Sequence, residues 1–163
     1  MCKIVNIVVD AATNKINLLL EKEKHLTKLV LKEETIRTGA FSLFSELIRL
    51  RHLIGGLRYI VKEIKPLLHK DKSECAREVF YKFGLILQRD YAARISSYIP
   101  QSSHYAEIEV LRLERDVAKE ISIFILDLCD AIIKQLEGER IEEVPAIADY
   151  FGSLVQQYKD LQL

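Results

Sequence analysis

The chain has 163 residues, 49% of them hydrophobic, with only three prolines and six glycines. A domain of this length buries about 70% of the surface its unfolded chain exposes, so a core forms without metals or disulfides, and the scarcity of turn residues excludes a β-sandwich. Lysine plus arginine number 24, as do aspartate plus glutamate, so global charge offers no attraction to nucleic acid or to an anionic membrane.

The first segment reads two ways. KIVNIVV alternates enough for a strand, with INLLLEK as its hairpin partner. The helical pattern matches more positions. Val5, Val9, Ala12, Ile16, Leu19, Leu26 and Val30 recur at steps of four and three, with Glu23 the one interruption. Lys3, Asn6, Asp10, Asn14, Asn17, Glu21, Lys24 and Lys28 form a polar row beside them. Two complementary stripes predict one helix over 3–35, stopped by Gly39.

The second segment carries a heptad seam: Leu43, Leu47, Leu50, Ile54, Leu57, Val61, Ile64 and Leu68. Phe41, Phe44 and Ile48 widen it. Pro66 lacks a backbone donor and ends or kinks the helix near residue 65. Gly55 and Gly56 each cost about 1 kcal/mol against alanine in a helix interior, and a close helix crossing would account for them.

A third helix is predicted over 73–99. Asp71 and Glu74 form a capping box at its start. Ala76, Val79, Phe80, Phe83, Ile86 and Leu87 are its buried face, and Pro100 closes it. After the turn PQSSH, with Ser102 or Ser103 as N-cap, a fourth helix spans 104–137. Its ISIFILDLCDAII stretch is apolar on almost every side, the mark of a helix central in a bundle or shared with a partner. That stretch is too short to span a bilayer and contains Asp127 and Asp130. Gly138 ends the helix, and Pro145 suits the first turn of a fifth, with Val144, Ile147, Ala148, Phe151, Leu154, Val155, Tyr158 and Leu161 as its stripe.

The predicted architecture is all-α: one domain over 1–163, an elongated up-and-down bundle of about five helices, four of them long. Short connections make neighbours antiparallel, and the long helices give a length on the order of 45–50 Å. Leu47, Ile54, Leu57, Val61, Phe83, Phe124, Ile125 and Leu128 are expected among the most buried residues.

Signatures of catalysis are sparse. The sequence contains no GxGxxG, Walker A, GxSxG, HExxH or paired ExxH motif. His104 and Glu107 lie one turn apart, but a metal needs three or four convergent ligands; no metal, cofactor or catalytic residue is assigned. Asp127 and Asp130 are read as edging the buried face, with Asp130 paired to Lys134 at i+4. Cys2, Cys75 and Cys129 are odd in number and far apart, so they are read as reduced buried thiols, and the protein as cytoplasmic.

Charge is unevenly spread. From Leu47 to Lys72 there are seven basic and two acidic residues, and from 107 to 149 twelve acidic and five basic. Arg51, Arg58, Lys62, Lys65 and His69 fall on one strip beside the leucine seam. Such a strip meets phosphates, or it meets acidic protein surface in the fold or between protomers.

The stretch AEIEVLRLERDVAKEISIFILDL at 106–128, with YFGSLVQQYKDL at 150–161, resembles the helical domain of GINS replication subunits. The stretch LEGERIEEVPAIADYFGSL at 136–154, with the earlier long helices, resembles translin-type bundles. Each resemblance covers less than half the chain, and no residue role carries over from either. The sequence thus predicts a non-enzymatic interaction or scaffold subunit, a homo-oligomer or part of a larger complex, without membrane contact. The alternative is a nucleic-acid-binding helical protein, such as a small subunit of a replication or RNA/DNA-processing complex, using the basic strip.

Overall fold

A computed structural model describes residues 2–32, 41–95, 105–138 and 144–162. Among these residues there is no strand. The order is α1 (Lys3–Val30), α2 (Phe41–Ile64), a 3₁₀ turn (Lys65–His69), α3 (Lys72–Leu87), a π-helical segment (Gln88–Ile95), α4 (Tyr105–Glu137), α5 (Val144–Gln157) and a last 3₁₀ turn (Lys159–Gln162). The expected all-α bundle is the fold, with five α-helices among the described residues, and residues 3–9 are helix. The expected extension of the first helix to residue 35, its stop at Gly39 and the serine N-cap of the fourth helix lie outside the described residues.

α1 and α2 form an antiparallel pair. The Cys2 N–H donates to the Leu68 carbonyl at one end (3.1 Å), and Arg51 reaches Glu23 towards the other (3.2 Å). In α1, Val5, Ala12, Ile16, Leu19 and Val30 are buried as the spacing predicts, while Val9 and Leu26 are half-buried; every member of the polar row is exposed. Ile4 and Val8 join the core as well, because α1 is gripped on more than one side. The α2 seam holds, with Leu47, Leu50, Ile54, Leu57 and Ile64 buried and Leu43, Val61 and Leu68 half-buried. A second row, Leu53, Ile60 and Leu67, is equally buried. Phe44 and Ile48 do not widen the seam: they are 46% and 44% exposed. As the missing Pro66 donor requires, α2 ends at Ile64 and the chain tightens into the 3₁₀ turn.

Asp71 caps α3 by accepting from the Glu74 N–H (2.9 Å). The Glu74 carboxylate does not close the box; it turns to Lys70, which also binds Glu78. α3 ends at Leu87, earlier than expected, and winds on as a π-helix to Ile95; 96–99 are outside the described residues. α3 and α5 run parallel, with Phe80 on Tyr150, Phe83 on Phe151 and Tyr91 on Tyr158.

α4 is the centre. It packs on α1, α2, α3, α5 and the π segment. Val117, Ala118, Ile121, Ser122, Ile125, Leu126, Leu128, Cys129, Ile132 and Leu136 are buried, and the Ser122 hydroxyl is satisfied by the Ala118 carbonyl (2.8 Å). Phe124 is half-buried at the edge of the core, with the Lys15 ammonium 5.4 Å from its ring centroid. The two α2 glycines differ. A Cβ at Gly56 would come within 2.9 Å of Ile121, so this glycine permits the close α2–α4 crossing, whereas a Cβ at Gly55 would meet nothing within 4 Å.

The cysteine expectation is corrected. Cys2 and Cys75 are disulfide-bonded and fully buried; only Cys129 is a free thiol. Separation in sequence misled because the α1–α2 pair returns the chain to its starting end, where α3 begins. Burial among apolar side chains pushes the Cys129 thiol far up, so it is inert core. Cross-linking residues 73 positions apart removes unfolded-chain entropy worth about 4 kcal/mol. Urea unfolding with and without a dithiol reductant is therefore expected to show a much lower midpoint for the reduced chain, and the Cys75→Ser variant should match the reduced wild type. Equal midpoints in all three would exclude a stabilising bridge.

Candidate interaction surface

The five residues of the predicted strip, Arg51, Arg58, Lys62, Lys65 and His69, are all exposed along α2 and the 3₁₀ turn that follows it. Leucine at every third or fourth position buries the opposite face and leaves this one to water. Arg51 is paired with Glu23; among the described residues Arg58, Lys62 and Lys65 have no carboxylate partner. Among the described residues, no acid of the 107–149 region forms an ion pair with the strip. Where that region does meet the basic segment, the base is Arg49, which lies off the strip. Its guanidinium holds Glu46 at two points (2.9 and 2.7 Å) and also binds Glu120 on α4.

Beside this ion cluster a groove of about 630 Å³ opens between the first turns of α2 and α4. Phe44, Ile48, Val110 and Leu113 give it apolar walls; Arg49, Arg112, Glu109 and Asp116 give it charge of both signs. Val110 is 53% exposed. No described residue of 107–116 is fully buried, although α4 is core from Val117 onward. Among the described residues, this end of the bundle has no buried core. Sequence reasoning missed it because Phe44 and Ile48 have helical spacing that fits either a core or a surface row.

Other polar groups are structural. Asp90 is 3% exposed on the π segment; Arg89 satisfies it (2.9 and 3.3 Å) and stacks over the Tyr59 ring. The hydrogen bond to Asp90 raises the Arg89 guanidinium above its ordinary value. Asp127 is exposed and Asp130 half-buried at the edge of the core, as expected, but the Asp130–Lys134 pair does not form. Both side chains lie where water competes for them, so an i+4 spacing alone is not enough. His104 lies outside the described residues. Among the described residues no three His, Cys, Asp or Glu side chains converge as a metal site, and no helix is long and apolar enough to cross a membrane.

Comparison with known proteins gives no match: no family model, no curated protein and no solved structure is similar to this chain. The GINS and translin resemblances thus stand on the residues that carry them and gain no support here.

The Arg49 cluster sets a pH dependence. The hydrogen bonds from Arg49 hold the Glu46 carboxyl below its usual 4.5. A lowered carboxyl contributes stability above its unfolded value, lost as pH falls through its folded one. Wild type is expected to lose stability between about pH 5 and about pH 3, and Arg49→Gln to lose stability at neutral pH with a flatter decline towards acid. Denaturant midpoints across that range test this; parallel profiles for the two proteins would refute it.

Proposed function

We propose that the chain is a non-enzymatic helical interaction subunit that self-associates or joins a larger complex. The observation that carries this reading is the grouping of exposed Phe44, Ile48 and Val110 around one groove rimmed by charge. Apolar side chains scattered singly on a surface need no explanation, but a contiguous group with a polar rim is how protein-binding surfaces are built. The cytoplasmic location expected from the sequence rested on reduced thiols, and the Cys2–Cys75 bridge removes that ground. Light scattering is expected to give a mass above the 18.8 kDa of one chain. The double variant Phe44→Asp, Val110→Asp is expected to return it to one chain with the helical circular dichroism retained. An unchanged mass in that variant would remove the groove from the interface.

A second reading, nucleic-acid binding, is favoured by Arg58, Lys62 and Lys65, which lie on one exposed strip without an ion pair among the described residues. Binding that covers about four phosphates would weaken with a log–log salt slope of about −3 to −4, from counterion release. Titrating labelled DNA and RNA across salt concentrations tests it; no binding at low salt would dismiss it.

A further inference from the structure

Gly55 is the unexplained residue of α2. Gly56 makes room for Ile121, but Gly55 is exposed, and a side chain there would meet nothing within 4 Å. In the middle of a helix such a glycine is a cost without a return inside this chain. Its neighbours on the helix surface, one turn to either side, are Arg51, His52, Arg58 and Tyr59. All four are exposed. Gly55 is thus a bare position ringed by two guanidiniums, an imidazole and a phenol.

The surroundings are of one sign. From Arg51 to His69 the exposed side of α2 and its 3₁₀ turn carries Arg51, Arg58, Lys62, Lys65 and two histidines, and no exposed acid. Glu63, the one carboxylate in that stretch, is half-buried and held by Lys82 (2.9 Å). Arg51 is paired with Glu23, but the arginine side of that pair is mostly exposed, which leaves its charge available. Arg89 reaches the rim from the π segment. It lies over the Tyr59 ring, 5.2 Å from the centroid, while Asp90 holds its guanidinium. Tyr59 is 40% exposed in this position.

An anion fits this position better than a second helix does. A glycine at a helix crossing is flanked by side chains that pack on the partner; here three of the four flanking side chains carry N–H donors. A second copy laid on the same face would bring its own cations against these. A phosphodiester group can settle on the bare helix surface, since glycine permits a ligand to approach the backbone closely. There it lies between Arg51 and His52 on one side and Arg58 on the other. Arg58 leans over the turn that contains Gly55, because helical side chains tilt towards the N-terminus. From Arg51 to Lys62 is about 16 Å along the helix. The cations stand in single file, so they track one backbone. The strands of a duplex wind away from a straight row, whereas an extended single strand follows it. Tyr59 beside the seat offers a ring on which a base can stack.

We propose that the exposed face of α2 binds single-stranded nucleic acid, with one phosphate seated on Gly55 between Arg51, His52 and Arg58. The strand continues over Lys62 and Lys65, and a base stacks at Tyr59. The proposal rests on the nucleic-acid reading above; it names the strand class and the seat. None of these residues lines the groove of Phe44 and Val110, so the two surfaces are tested independently.

The test uses the whole chain and the fluorescence anisotropy of a labelled oligothymidylate over a salt series. Wild type is expected to bind at low salt with a log–log slope of about −3, from about four phosphates at about 0.7 each. Arg58→Gln is expected to weaken binding about tenfold and to bring the slope to about −2. Gly55→Leu changes no charge. It is expected to raise the melting temperature, because it removes a helix glycine, and yet to weaken binding about tenfold, because it fills the seat. Tyr59→Leu is expected to weaken binding with the slope unchanged, since lost stacking releases no counterions. Binding that Arg58→Gln weakens and Gly55→Leu leaves intact would overturn the seat while nucleic-acid binding stands. A duplex of the same length that binds as tightly as the single strand, or full binding by Tyr59→Leu, would overturn the strand class. Polyglutamate that competes as well as the oligonucleotide would assign the face to acidic protein and overturn the proposal. No binding at low salt would overturn both the proposal and the reading on which it rests.

Discussion

Burial of α4 from Val117 to Leu136 is the contact on which the other helices depend. An isolated helix is marginal in water, and its stability in a protein comes from the apolar face it packs. Here one helix offers apolar surface on almost every side, and α1, α2, α3, α5 and the π segment each bury their own face against it or beside it. At Gly56 a side chain would run into Ile121. The same helix changes character at its first turns. Residues 107–116 extend past the packed region, and there the groove with Phe44 and Ile48 opens. Core and candidate interface are thus two ends of one element.

The charge pattern follows from this division. The fold consumes some of the segregated charge locally: Arg49 with Glu46 and Glu120, Lys70 with Glu74 and Glu78, Lys82 with Glu63. Lys70 holds the Glu78 carboxyl below its ordinary value, and Lys82 does the same for Glu63. These pairs are at the surface, where such contacts add little to stability; their effect is to orient α2, α3 and α4.

The π segment shows how tertiary packing overrides a regular pattern. The sequence expectation continues the third helix to residue 99, yet the backbone widens after Leu87. The wider turn carries Asp90 into the interior, and a buried carboxylate is costly unless it is paired. Arg89, adjacent in sequence, supplies the pair while stacking on Tyr59 of α2. Tyr91 meets Tyr158 beyond α5, and burial raises the Tyr158 phenol above its ordinary value. Such a widened turn leaves little trace in residue spacing, because it depends on neighbours from α2 and α5.

The sequence by itself determined the helical class, the five helices, the stop before Pro66, the Asp71 cap and most of the core. Each of these is local or periodic: apolar side chains at steps of three and four can be buried together only on a helix, and a proline lacks its donor wherever it sits. The exposure of the basic strip was legible for the same reason, since it lies opposite the leucine seam. Only the tertiary structure decided that Cys2 meets Cys75, that Arg49 reaches Glu120, that Phe44 and Ile48 face outward, and that Gly56 but not Gly55 has a neighbour. Those facts depend on how far each helix extends past the next and which ends coincide. Helix lengths and crossing positions are set by the sum of many packing contacts between distant segments, and no single stretch of sequence contains that sum.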